Sequence, residues 1–281
     1  MIEEPQIFDC EGEQMLGILH HAQGNKSDIG VLLVVGGPQY RVGSHRQFVL
    51  LARALAAAGV PVFRFDYRGM GDSVAAARDF EQITDDIRSA MDTFVEKAQG
   101  VRGVVLWGLC DAATANAFYA RKDDRVVGQI ALNPWVRTSE GEAQAFIKHY
   151  YLKRLFSGHF WRKVFGLKFN ARVALSDFLG KLGQSKAKVV SSDSDNRSLP
   201  ERLREAQTTF RKPTLLILSG QDLTAREYES RVGESQEWRD WMASSDVSLR
   251  NLDEADHTFS RAVWRDQVAT WSLDWVRGLK H

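Results

Sequence analysis

A regular alternation of short apolar runs and longer amphipathic stretches constrains the fold of this chain more than any other feature. "GVLLVV" at 30–35 is continuously apolar, as expected of a strand buried on both faces of a sheet. An alanine-rich helical pattern at 48–59 follows and ends at a glycine. The same succession recurs as strand patterns at 60–69, 103–108 and 126–134 and helical patterns at 80–98 and 111–121. Such alternation predicts an α/β protein built from right-handed, parallel βαβ units.

A long insertion interrupts this pattern after Trp135. Residues 136–212 are predicted to be mainly helical, aromatic and basic, and residues 143–176 contain seven Lys or Arg but neither Asp nor Glu. The stretch near 183–200 is polar and serine-rich, which is typical of a mobile linker.

The alternation resumes with "KPTLLILSGQD". It predicts strands at 213–219 and 246–252, a helix through about residue 243, and a last helix at about 258–278. The sequence therefore predicts one core domain, residues 1–135 and 213–281, with the insertion at 136–212 between two late strands of a mostly parallel, doubly wound sheet.

Charge and cysteine content exclude several classes of function. The formal net charge of the 281 residues is +1, which predicts no nucleic-acid partner. No apolar run approaches the roughly 20 residues that span a bilayer. The acidic start lacks the layout of a signal peptide, and Cys10 and Cys110 alone make no disulfide framework, so we expect a cytoplasmic protein. The glycines of "RGMGDS" lack the spacing of a phosphate loop, and no metal or cofactor is predicted.

Cys110 is the candidate nucleophile. Reactive groups in doubly wound sheets collect at the carboxyl ends of the strands, and Cys110 directly follows the strand at 103–108 in "GLCDA". A sharp strand-to-helix turn requires small neighbours, which Gly108 and Ala112 supply. The following helix N-terminus favours a thiolate. The alternative is an inert, buried cysteine.

Two further strand ends supply a candidate acid and base. Asp222 follows the strand at 213–219, where it could orient an imidazole or serve as a helix N-cap. His257 follows the strand at 246–252, where it could act as the base or lie exposed in a loop. His45, after the first strand-to-helix loop, is the rival base. Together these residues predict covalent acyl transfer through a Cys-His-Asp triad.

These motifs resemble the α/β-hydrolase superfamily over nearly the whole chain outside the insertion. "GLCDA" is similar to its nucleophile elbow, "FDYRGMGDS" at 65–73 to the loop after its fourth strand, and the order Cys110, Asp222, His257 to its triad. The resemblance implies an α/β-hydrolase fold in which the insertion is a helical lid over the active site. Within the superfamily, "VVGGPQYRVGSHRQFVLLAR" and "WGLCDAA" resemble the exosortase A system-associated hydrolase 1 group, whose members occur with exosortase and exopolysaccharide loci.

Two departures from the superfamily pattern affect the expected chemistry. The common nucleophile is Ser, with Gly two residues later, where this chain has Cys110 and Ala112. The common His-Gly after the third strand is Gly36-Gly37 here, and the following proline has no N–H. We therefore expect the Asp111 N–H as one oxyanion donor and either the Gly37 or the Gln39 N–H as the other.

The candidate substrate-binding residues are Arg41, Arg46 and Trp135. Either arginine could bind a substrate carboxylate or, equally, pair with an acid such as Asp72. The aromatic side of the predicted lid would close an apolar pocket, and its basic side would either be solvated or dock an acidic partner.

Hydrolysis of an ester or thioester is the favoured function, with a small-molecule or carrier-bound acyl substrate. A cysteine elbow also suits acyl transfer from a thioester to an acceptor other than water. A non-catalytic scaffold in an export assembly and a redox-sensing thiol are the remaining alternatives.

Overall fold

The apolar runs of the sequence form one sheet in the computed structural model, which describes residues 2–37, 39–137 and 197–279. Within these residues the sheet has eight strands: β1 (Glu3–Cys10), β2 (Glu13–His20), β3 (Ile29–Val34), β4 (Val62–Asp66), β5 (Gly103–Leu109), β6 (Val126–Leu132), β7 (Thr214–Ser219) and β8 (Val247–Leu252). The central strands β3, β4, β5 and β7 are buried at every position, because helices cover both faces of the sheet.

The strand order β1-β2-β4-β3-β5-β6-β7-β8 fixes where a site can form. Strands β3 to β8 pair in parallel, whereas β2 is antiparallel to both β1 and β4. The chain passes from β3 to β4 on one side and then to β5 on the other. In open α/β sheets ligands bind at such a point of reversal, outside the carboxyl ends of the strands, which here are β3 and β5.

Seven helices of the described residues flank the sheet: α1 (Gln47–Ala57), α2 (Thr84–Lys97), α3 (Asp111–Ala120), α4 (Leu199–Thr209), α5 (Leu223–Gly233), α6 (Gln236–Met242) and α7 (Ala262–Gly278). Because side chains alternate along a strand, Val31 and Leu33 of β3 join the core under α1 and α7. Leu32 and Val34 join the core under α2 and α3. The predicted α/β-hydrolase fold, a mostly parallel, doubly wound sheet, is thus confirmed.

Two helical regions differ in detail from the sequence-based expectation. The helix expected through residue 243 is two helices, because Ser235 interrupts the run and caps α6 by accepting the Trp238 N–H at 3.4 Å. Helix α4 lies in the stretch 136–212 that the sequence assigned to the insertion and its linker. Its Leu203 and Ala206 pack in one core cluster with Trp238 instead.

The predicted lid itself falls largely on residues 138–196, which lie outside the described residues, as does most of the linker near 183–200. Within the described ranges, no helix combines the length and the apolar character that crossing a bilayer requires.

Candidate active site

Cys110 lies in a strained turn between β5 and α3. Its backbone has φ 65° and ψ −126°, a conformation that non-glycine residues rarely adopt. The turn is so tight that a Cβ on Gly108 would lie 2.7 Å from Asn116 Nδ2 and 2.8 Å from the carbonyl carbon of Ala112. Cys110 is partly exposed and, like the buried Cys10, forms no disulfide. This is the geometry of a nucleophile elbow, which presents a side chain at the top of the sheet.

The end of β6 holds the elbow in place. The Cys110 N–H donates to Leu132 O at 2.9 Å, and the Cys110 carbonyl accepts the Trp135 N–H at 3.3 Å. Trp135 O in turn accepts from Thr114 Oγ1 of α3 at 2.7 Å. The backbone of Trp135, a predicted substrate-binding residue, is therefore fixed beside the candidate nucleophile.

Asp222 and His257 meet at the ends of β7 and β8. His257 Nδ1 lies 2.8 Å from Asp222 Oδ2, and the Asp222 side chain is 8% exposed. A carboxylate at Nδ1 holds the proton on that nitrogen and leaves Nε2 to act as a base. His257 is 35% exposed. Cys110 packs against the same apolar cluster that contains Ala255 and Phe259, on either side of His257 in sequence.

Asp222 also caps helix α5. Its Oδ1 accepts the Thr224 N–H and its Oδ2 the Ala225 N–H, each at 3.2 Å. The cap and the contact with the imidazole, which the sequence treated as alternatives, exist together. His45, the rival base, is exposed in a short turn at Ser44–Arg46.

The loop after β3 is tied to the elbow by the side chain of Asp111. The Gly37 N–H donates to Asp111 Oδ2 at 2.9 Å, and Asp111 Oδ1 accepts the Ala112 N–H at 2.9 Å. Burial raises the pKa of Asp111, although hydrogen bonds from the N–H groups of Gly37, Ala112 and Asp111 itself act in the opposite direction. The contact is close: a Cβ on Gly36 would lie 2.1 Å from Asp111 Oδ1.

This tie changes the expected oxyanion site. The sequence expected Gly37 or Gln39 as the second donor, but the Gly37 N–H is directed to Asp111, and the Gln39 N–H donates to Gly37 O at 2.8 Å. Both groups are already hydrogen-bonded in this conformation, Gly37 because the Asp111 side chain folds back toward the loop and Gln39 through a turn within the loop itself. The Asp111 N–H, at the N-terminus of α3 and the other expected donor, also contacts the carboxylate of its own residue.

The two candidate arginines differ in their surroundings. The Arg41 guanidinium contacts Asp66 and lies 2.7 Å from Asp72 Oδ2, and its backbone N–H donates to Asp66 Oδ1 at 2.5 Å. Of the two roles that the sequence left open for Arg41, the structure shows the ion pair with Asp72. Arg46 is exposed and left-handed, with φ 61°, immediately before α1.

Two polar residues near these strand ends were missed by the sequence reasoning. One is the Asp111 carboxylate, whose partner Gly37 lies 74 residues away in sequence, so that no local pattern reveals the pair. The other is Asn133, which directly follows β6. The criterion that selected Cys110 and Asp222, a polar residue at the carboxyl end of a parallel strand, also selects Asn133. Within the described residues, no group of His, Cys, Asp or Glu side chains is arranged to hold a metal ion.

Comparison with known proteins agrees with this architecture. The model of the alpha/beta hydrolase family matches residues 31–271. A search of curated protein sequences gives no significant match.

Similar solved structures include the alpha/beta hydrolase GrgF from Penicillium sp. sh18, with 16% identity, a TM-score of 0.65, and coverage of 99% of this chain and 98% of that one. The Pyrococcus furiosus esterase Pf2001 has 15% identity, a TM-score of 0.66, and coverage of 98% and 92%. The esterase domain of a Rhodothermus marinus protein has 17% identity, a TM-score of 0.62, and coverage of 99% and 98%. At these identities the likeness concerns the fold.

Proposed function

The chain belongs to the alpha/beta hydrolase family, and from that premise we propose that it cleaves an ester or thioester, with Cys110 as nucleophile, His257 as base and Asp222 as the orienting acid. The observation that carries the proposal is the 2.8 Å contact between His257 Nδ1 and Asp222 Oδ2. This pair lies at the same edge of the sheet as the strained turn at Cys110. Covalent acyl transfer needs such an arrangement, with a nucleophile, a base and a group that orients the base at one site.

The proposed reaction has two halves. His257 Nε2 accepts the Cys110 proton, the sulfur attacks the carbonyl carbon, and the leaving alcohol or thiol takes the proton from His257 as its bond to the acyl carbon breaks. Water then attacks the thioacyl group, giving a proton to His257, and the acid departs as that proton returns to sulfur. Asp222 stays ionised and stabilises the imidazolium throughout.

The oxyanion needs preorganised donors. The Asp111 N–H is the first, at the helix N-terminus, and it must be released from the carboxylate of its own residue. For the Gly37 N–H to be the second, it must leave the Asp111 carboxylate that accepts it at 2.9 Å. The proposal therefore includes a local movement of the β3 loop when substrate binds.

Transfer to an acceptor other than water is the second candidate. The feature that favours it is the cysteine itself, because exchange between a thioester donor and a thioacyl-enzyme is nearly isoenergetic. Two similar structures are named esterases, one from Pyrococcus furiosus and one from Rhodothermus marinus. Those names favour an ester substrate and hydrolysis.

The proposal also covers the genomic context of the enzyme and the kind of partner that it binds. The resemblance of "VVGGPQYRVGSHRQFVLLAR" and "WGLCDAA" to the exosortase A system-associated hydrolase 1 group would associate the enzyme with exopolysaccharide loci. The basic composition of residues 143–176, which lie outside the described residues, would favour an acidic partner or an anionic carrier of the acyl group. We expect the KM of the wild type to rise with salt concentration. When Lys and Arg residues of that stretch are changed to Gln, the KM should no longer depend on salt. A wild-type KM that is independent of salt would exclude such docking.

Intact-mass spectrometry after incubation with acyl-CoA and p-nitrophenyl esters tests the proposal. We expect an acyl adduct that maps to Cys110, is absent in Cys110→Ala and forms more slowly in His257→Gln. Cys10 is the matched internal control, since it is 2% exposed and burial raises its pKa, so it should stay unmodified.

Iodoacetamide should label Cys110 much faster than Cys10. If iodoacetamide labels both cysteines slowly and no acyl adduct forms on Cys110, the alternative of a non-catalytic scaffold would be favoured.

A further inference from the structure

Asn133 is a buried polar residue at the carboxyl edge of the sheet and has no part in the proposed reaction. It directly follows β6, its side chain is fully buried, and its backbone has φ 43°. Asparagine tolerates this left-handed conformation better than most residues. Burying a polar side chain in this conformation is unfavourable unless its amide is hydrogen-bonded, so we examine the partners of the Asn133 amide.

The Asn133 side chain joins two of the strand ends that carry the candidate triad. Its Nδ2 donates to Ser219 Oγ at 2.8 Å and to the His257 carbonyl at 3.2 Å. Its Oδ1 accepts the Ser219 N–H at 2.9 Å. Ser219 ends β7, three residues before Asp222. One amide therefore connects the strand that leads to the acid with the loop that carries the base.

The backbone around Asn133 reaches the third strand end. Leu132 O accepts the Cys110 N–H at 2.9 Å, and the Trp135 N–H donates to the Cys110 carbonyl at 3.3 Å. The Asn133 N–H donates to Ile217 O of β7 at 3.1 Å. The main chain of the segment 132–135 thus bonds to the main chain of Cys110, and its Asn133 side chain bonds to the main-chain carbonyl of His257.

The chemistry of an amide fits this position. The site needs an acceptor for the Ser219 N–H and, on the other side, a donor for the His257 carbonyl. An amide carries its acceptor and its donors on two different atoms, so one side chain can serve both partners at once. Asn is shorter than Gln and tolerates the left-handed conformation better than most residues.

We propose that Asn133 is a positioning residue, which fixes the His257 main chain relative to Cys110 and Asp222 through its amide. This inference rests on the proposed function, because it gives Asn133 a role only if Cys110 and His257 act as a pair. A displacement of about 1 Å in a reacting group can cost about 100-fold in rate, so we expect loss of the amide to lower kcat by roughly 10- to 100-fold with little change in KM.

The test uses the pH dependence of Cys110 alkylation by iodoacetamide, which requires no knowledge of the substrate. In the wild type, a nearby imidazolium favours the thiolate, so we expect the midpoint of the rate against pH to lie below about 8.5, that of a free thiol. Asn133→Gly, which suits the positive φ, and Asn133→Ser should move the midpoint at least about half a pH unit toward the free-thiol value. An unchanged midpoint in both variants would overturn the inference.

Asn116 provides a matched control. It is a second buried asparagine, on the elbow helix α3, and neither polar atom of its amide has a hydrogen-bond partner among the described residues. Asn116→Ser should keep the wild-type midpoint. Circular dichroism accompanies every variant, and loss of the native spectrum in both Asn133 variants would also overturn the inference, because it would assign Asn133 to the fold rather than to the base.

The His257→Gln variant separates the two proposals. If the wild-type midpoint equals that of a free thiol, or His257→Gln reproduces the wild-type profile, the proposed function fails whatever Asn133 does. If the wild type and His257→Gln behave as expected but the Asn133 variants follow the wild type, only the role of Asn133 fails.

Discussion

Asp222 combines two hydrogen-bonding roles in one carboxylate, and each role has its own observable. It accepts two N–H groups at the start of α5 and contacts His257 Nδ1. Asparagine caps helices about as well as aspartate, but it cannot stabilise the imidazolium and favours the wrong tautomer. The two roles can therefore be separated by a single-atom change.

We expect Asp222→Asn to lower kcat by about 10³- to 10⁴-fold while the free energy of unfolding changes by less than about 0.5 kcal/mol. Asp222→Ala should lose the same activity and, in addition, about 1 kcal/mol of stability through the lost cap. Ester turnover and urea denaturation of both variants measure the two effects. An Asp222→Asn enzyme within tenfold of the wild type would show that another group orients His257.

Among the elements, the junction between the β3 loop and the elbow leaves no space for a side chain at Gly36. A Cβ on Gly36 would lie 2.1 Å from Asp111 Oδ1, 2.7 Å from Leu109 O and 2.9 Å from the Ala112 nitrogen. Two of these neighbours are backbone atoms, which cannot rotate away as a side chain can. The loop and the elbow must therefore move apart to accept any side chain at this position.

Gly36→Ala should destabilise the protein by about 1–3 kcal/mol, the usual cost of overpacking, and slow the alkylation of Cys110. Gly233, at the end of α5, is the matched control because a Cβ there would have no atom within 4 Å. Gly233→Ala should leave stability unchanged or raise it by less than about 1 kcal/mol. Equal denaturation midpoints for the two variants would contradict the close packing of the junction.

The success of the sequence-based predictions also differs by element. Strands β3, β5 and β7 were readable because they are buried on both faces and so appear as continuous apolar runs. The Asp222–His257 pair could be anticipated because each residue lies in the loop that follows a parallel strand, and these loops meet at one edge of the sheet. Helix α4 was not distinguished from the helical insertion, since only a few apolar residues such as Leu203 mark its buried face. The Asp111–Gly37 bond could not be read at all, because it depends on how two distant loops meet.

For the molecule as a whole, the buried charged groups near β2 make stability depend on pH. His20 is fully buried, and its Nε2 accepts from Arg64 Nε at 2.8 Å. Burial, and then the charge of Arg64, lower the pKa of His20 from 6.5 to about 4. Between these values the unfolded chain binds a proton that the folded protein does not, so stability falls as pH falls through this window.

This protonation should remove up to about 3 kcal/mol of stability between pH 6.5 and pH 4. In His20→Gln this contribution is absent, so its free energy of unfolding should fall less steeply than that of the wild type over the same interval. Urea denaturation at several pH values compares the two slopes. Identical slopes would show that another group dominates the acid sensitivity.

The residues of the candidate site are far apart in sequence, so the ribosome makes them at different times during synthesis. The thiol at position 110 leaves the ribosome well before β8 and the loop that carries His257, because the N-terminal part of a chain is made first. Until β7 and β8 dock beside β6, Asn133 has no Ser219 or His257 to bind. The nascent chain therefore carries an ordinary cysteine, and any heightened reactivity arises only once nearly the whole sheet is assembled.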